Sequence, residues 1–241
     1  MMSFNTLIAQ LQKAQSQAFA DVAADSSIEN DRNDIAQILV DLGKCADFLV
    51  PRYEGQLYEL ALREVQLSLL AALGASYRQA FMGLRLALEH WFTGIKFSTN
   101  ELSFRAWQLD EEDVSWSELN SEDAGVLSER FAHIFWPQTE QRVATYRNLA
   151  RKLYRECSEY VHGNLRTHTF LPKQLEYDSA TFLSWKEKLD TLKLLFVYSF
   201  VLRFATTLRP NDQEPYASVA LDSIGHLCEV RELFTGGNLN G

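Results

Sequence analysis

Residues 139–163 read TEQRVATYRNLARKLYRECSEYVHG. Val143, Tyr146, Ala150, Leu153, Cys157 and Tyr160 recur at the three- and four-residue spacing of one α-helical face. Pro137 precedes the stretch, Thr139 or Gln138 begins the helix, and Gly163 stops it after His162. A polar stripe runs along the same helix through Asn148, Arg151, Arg155, Ser158 or Glu159, and His162. At about 100° per residue Arg155 and His162 nearly eclipse, two turns or roughly 10 Å apart. The helix is amphipathic, and its cationic stripe ends in an imidazole.

Outward from this stretch the helical pattern repeats. Residues 3–24 are rich in Ala, Gln and Leu. Ser26 or Ser27 caps a helix over about 28–49, with Ile28, Ile35, Leu39, Leu42 and Phe48 on its apolar side and Pro51 at its end. A long helical stretch covers about 53–97, where Gly74 marks a bend or break, since interior glycine costs ~1 kcal/mol relative to alanine. Asp178 or Ser179 caps a helix to about Leu208, and Pro215 fits the first position of a last helix to about Phe234, before a frayed TGGNLNG tail. Residues 164–177 read as irregular. Residues 98–138 mix turn formers, acids and aromatics: short helices at 100–109 and 121–135 around a loop, an insertion or lid packed through Trp107, Trp116 and Trp136. The expectation is one all-α domain over 1–241, a bundle of about seven helices carrying that segment.

Composition agrees. Apolar residues are 46% of the 241 and aromatics 12%, enough for a sizeable core, while 11 Gly and 5 Pro are too few for a many-turned β protein. The apolar run at 192–208 is interrupted by Lys193 and Arg203 and falls short of the ~20 clean residues of a membrane span. Cys45, Cys157 and Cys228 form no CxxC pair, sit among apolar neighbours and read as buried free thiols of a reducing compartment. The N-terminus has no basic-then-apolar signal pattern, so a cytoplasmic protein is expected, with no membrane partner.

The net charge of −9 argues against a general nucleic-acid binder. The charge is unevenly spread, however. Residues 99–129 hold nine acids against Arg105, whereas 142–173 hold seven Lys/Arg against Glu156 and Glu159. The polar stripe therefore lies in the most basic part of an acidic chain. Arginine grips a phosphate through two parallel N–H bonds, and histidine moves protons near neutrality. RNA brings its own nucleophile, the ribose 2′-OH, so this pair of side chains can serve cleavage to a 2′,3′-cyclic phosphate and a 5′-OH without a metal or other cofactor, sparing DNA.

An arginine, six intervening residues and a histidine near a helix end, Arg155 to His162, in an all-α setting, resemble the HEPN superfamily. The resemblance covers the motif and the general bundle. It implies a homodimer whose motif helices face each other in one cleft, with Arg155 holding the scissile phosphate and His162 in proton transfer. It also implies metal-independent RNase activity of the kind found in antiphage and toxin–antitoxin effectors. Asn148, Arg151, Arg166 and His168 would be further RNA contacts, or Arg166 and His168 simply an exposed loop. Active members commonly carry Asn, Asp or His after the arginine; Glu156 stands here. It supports a second reading, a non-catalytic module that binds RNA or a protein partner such as an antitoxin.

Glu156, Glu159, Arg85 and Glu89 are candidates to stand behind Arg155 and His162 and support them. Arg85 and Glu89, one turn apart, form either an intrahelical pair worth ~0.2–0.5 kcal/mol or part of the cleft wall. His162 and His168 lack a third ligand, so no metal site is expected. No GxGxxG, Walker A, GxSxG or HExxH pattern occurs.

Overall fold

The structure, a computed structural model, describes residues 3–162, 165–207 and 214–235; the side chains of Arg166, His168, Ala205 and Glu214 fall outside that description. Among the described residues there are twelve α-helical segments, three 3-10 turns and no strand. The helices are α1 (Phe4–Ala24), α2 (Glu29–Leu49), α3 (Gln56–Leu73), α4 (Tyr77–Phe97), α5 (Glu101–Gln108) and α6 (Trp116–Leu119). There follow α7 (Glu129–Phe135), α8 (Val143–His162), α9 (Leu165–Phe170), α10 (Ser179–Phe204), α11 (Glu214–Ile224) and α12 (Cys228–Thr235).

The all-α class expected from the sequence holds, but the count of about seven does not. Gly74 is a full break: Ala75 adopts φ 57°, in the left-handed region, and the Ser76 N–H donates to the Ala71 carbonyl at 2.7 Å, closing α3 before α4 starts. The short α9 occupies part of the stretch read as irregular, and α6 adds one turn inside the expected loop. The last helix divides at Gly225, where the N–H donates to the Leu221 carbonyl at 3.0 Å. α8 begins at Val143 after a 3-10 turn at Pro137–Thr139, whose N1 proline suits such a start.

α4 is the hub, packed against α3, α8 and α10. It buries Phe81, Leu84, Leu88, Trp91, Phe92 and Ile95 completely. Its glycines set the closest approach to α3: a Cβ on Gly83 would stand 2.9 Å from the Ser68 Cβ, inside contact distance. α10 buries the apolar run at its C-terminal half; Lys193 donates to Asp41 at 2.7 Å and Arg203 to Ser98 at 2.9 Å, so both interrupting cations are paired at the edge of the core. No helix among the described residues is long and apolar enough to cross a membrane.

Residues 98–138 pack on this body through aromatic rings. Trp116 stacks on Tyr154 of α8 and Trp136 is buried in the main core, while Trp107 joins a small cluster with Phe97 and Phe104. Lys96 and Glu118 form an ion pair that ties α6 to the end of α4.

Candidate functional site

α8 buries Val143, Tyr146, Ala150, Leu153, Cys157 and Tyr160, the face the spacing predicts, together with Arg147. Ring contacts fix the helix about its axis. Tyr146 stacks on Tyr198 of α10 at 3.5 Å between centroids, and Tyr160 on Phe81 of α4 at 4.0 Å. With α4 under one flank and α10 under the other, the remaining residues form an outward crest. Asn148, Arg151, Arg155 and His162 are all exposed on it, and Glu159 is half-buried at its edge.

The cations of α8 are not equivalent. Arg147 donates to the Leu127 carbonyl at 3.3 Å and lies 3.7 Å from Glu122; Arg151 lies 3.3 Å from the same carboxylate. Lys152 sits 3.8 Å from Glu156. Arg155 makes no ion pair or hydrogen bond with any described residue, although Glu159 stands one turn on, at the spacing that would permit one. Glu156 turns instead toward α10, where Lys188 reaches it at 3.0 Å. His162 is likewise without a partner among the described residues and is the last described residue of the helix.

Arg155 opens onto a groove of about 380 Å³ between α8 and α10. Glu156, Glu159, Phe170, Ser184 and Lys188 share its lining. Phe170 stays 45% exposed, an apolar surface beside two cations. Lys188, Ser184 and Phe170 escaped sequence reasoning because no local pattern links them to Arg155. The backbone of Arg166 and His168 lies on α9, but their side chains are outside the described part, so their expected phosphate contacts are too.

Arg85 and Glu89 lie on the other flank. They form the intrahelical pair at 3.3 Å, and Arg85 also donates to the Tyr154 hydroxyl at 2.8 Å with its guanidinium 4.7 Å from that ring's centroid. Burial, then the Glu89 charge, pushes the Tyr154 phenol upward. Both residues line a separate groove between α3 and α4 that Val161, not Arg155, overlooks. The structure thus places Arg155, Glu156 and Glu159 together, His162 two turns along the same crest, and Arg85 with Glu89 apart from them.

Cys157, one turn below the crest, is no nucleophile: burial raises its thiol to about 12. Among the described residues no group of three His, Cys, Asp or Glu side chains is arranged to hold a metal ion. On this open crest one guanidinium, Arg155, and one imidazole, His162, have no partner among the described residues. No protein-family model matches the sequence, and neither a curated protein nor a solved structure matches it.

Proposed function

We propose that this chain is a metal-independent endoribonuclease, of the kind that serves as an antiphage or toxin effector, working as a homodimer. The observation that carries this reading is selective pairing. Of the four Lys/Arg residues on α8, Arg147, Arg151 and Lys152 each form an ion pair and Arg155 forms none with a described residue, although Glu156 and Glu159 share its groove, and Arg155 shares its crest with an unpartnered His162. A cation left unneutralised in an acidic protein is available to a phosphate.

Cleavage needs a base to take the 2′-OH proton and an acid to protonate O5′ as the P–O5′ bond breaks and the 2′-O–P bond forms. One imidazole cannot face both oxygens in line, whereas His162 and its symmetry mate can. Arg155 would hold the non-bridging oxygens, whose charge grows in the transition state. The expected products are a 2′,3′-cyclic phosphate and a 5′-OH.

The test is incubation of the purified chain with RNA in EDTA, followed by end-group analysis. Arg155→Ala and His162→Ala should each lower the rate at least 100-fold, the scale of losing a general acid–base or a charge-stabilising group, with unchanged melting. Cleavage at the parent rate in both variants removes the site.

A second reading rests on Glu156 and Glu122. These two carboxylates pair with Arg147, Arg151 and Lys152, three of the seven Lys/Arg of the basic stretch, and with Lys188 of α10, which suits a non-catalytic module that docks a protein. No RNA cleavage together with a stable protein complex would select it.

A further inference from the structure

The first turns of α1 carry an apolar stripe that no described residue buries. Phe4, Leu7, Ile8 and Leu11 follow the i, i+3, i+4, i+7 spacing of one helical face and are 74, 37, 38 and 49% exposed. Only Ala18 and Val22, near the other end of α1, are buried. The helix is nonetheless well formed: Ser3 caps it by accepting from the Thr6 N–H at 3.2 Å. A capped helix whose apolar side faces water for about two turns is built to meet another surface.

The same chain presents a surface of matching kind. The groove between α3 and α4 holds about 460 Å³ and is floored and walled by Leu67, Met82, Leu86 and Val161, each 37–44% exposed. Its rim carries the Glu64 carboxylate, and beside it Glu89 with the Arg85 guanidinium that pairs with it at 3.3 Å, so the rim is acidic by one charge left unpaired among the described residues. The stripe has the opposite polarity. Its first turn contains no acid, leaving the positive end of the helix dipole uncompensated, and Lys13 is the one charged residue between Ser3 and Gln17. An amphipathic helix with anchors at these four positions is the usual occupant of an apolar groove.

We infer that α1 of one copy lies in the α3–α4 groove of a second copy, and reciprocally, so that the chain forms an arm-exchanged dimer. Phe4, Leu7, Ile8 and Leu11 enter the groove, and Lys13 and the helix N-terminus meet the Glu64 carboxylate on its rim. The contact is isologous and closes at two chains. Val161 joins the groove wall to His162, so the partner's arm passes beside the end of the motif helix. The inference rests on the homodimer of the proposed function, and its test reads mass rather than activity, so the two can fail separately.

Size-exclusion chromatography with light scattering on the full chain should give twice the 27.6 kDa chain mass. Leu7→Asp with Ile8→Asp on the arm, and Met82→Glu with Leu86→Glu in the groove, should each give the single-chain mass with unchanged helical circular dichroism. Mixing the two variants should restore dimer, because one intact arm and one intact groove remain. A monomeric parent overturns the inference, as does a groove variant that stays dimeric; loss of dimer in the arm variant alone means that two arms pair with each other. A dimer that follows these rules but leaves RNA intact upholds the arm exchange and removes the ribonuclease.

Discussion

The indole of Trp116 lies flat on the phenol ring of Tyr154, with centroids 4.0 Å apart and planes 3° apart. This contact joins the acidic 98–138 segment to the helix that carries Arg155. The same Tyr154 ring holds the Arg85 guanidinium, so segment, α8 and α4 meet at one side chain. Trp116→Ala should cost about 2 kcal/mol, below the full-burial range because the indole is only half-buried, and Trp116→Phe should recover much of it. Urea titration measures both. An alanine variant as stable as the parent would mean that the segment is held elsewhere.

Glu122 bridges Arg147 and Arg151 while itself 64% exposed in its side chain. At such exposure water and salt screen the pair, and Glu122→Gln should change stability by less than about 1 kcal/mol. It should release Arg151 to bind phosphate. RNA affinity of the cleavage-blocked His162→Ala protein should rise, and its dependence on salt should steepen, as expected when a further cation joins the contacts. Fluorescence anisotropy across a salt series reports both, and an unchanged slope takes Arg151 off the RNA path.

Helix identity was readable where periodicity was long, and less so where an element depends on a distant partner. Every apolar residue assigned to the inner face of α8 is buried, because six positions over five turns admit a single face. Arg147 is buried beside them, which its charge conceals; the Leu127 carbonyl and Glu122 that satisfy it lie in another segment. α6 has four residues and α9 six, too few to show a period. The pairing that distinguishes Arg155 from its neighbours depends on Glu122 and Lys188, and no local spacing points to either.

Thiol reactivity should divide by burial. Desolvation raises both Cys45 and Cys157 to about 12, with the Asp41 charge adding to the effect at Cys45, whereas Cys228, expected from its apolar neighbours to be buried, is exposed at the start of α12. The thiolate is the reactive form, so neither buried group reacts at mildly alkaline pH while the chain is folded. Iodoacetamide should add one label to the native protein and three in guanidinium, counted by intact mass. Native labelling of Cys157 would show that α8 lifts from the core.

His90 on α4 makes folding stability depend on pH in a direction fixed by its surroundings. Burial lowers its pKa, and the nearby Glu64 and Glu89 oppose the shift without cancelling it. The unfolded chain titrates near the ordinary histidine value of about 6.5, so below that pH it binds a proton more readily than the folded chain does. The contribution is therefore complete above about 6.5 and is lost as pH falls through the lower folded value. His90→Gln removes the titration, so on acidification from about pH 7.5 to about 5 the parent should lose more melting temperature than the variant. Parallel losses in the two would show that His90 keeps its solution value, and the α4 groove beside it would then be wetter than its burial implies.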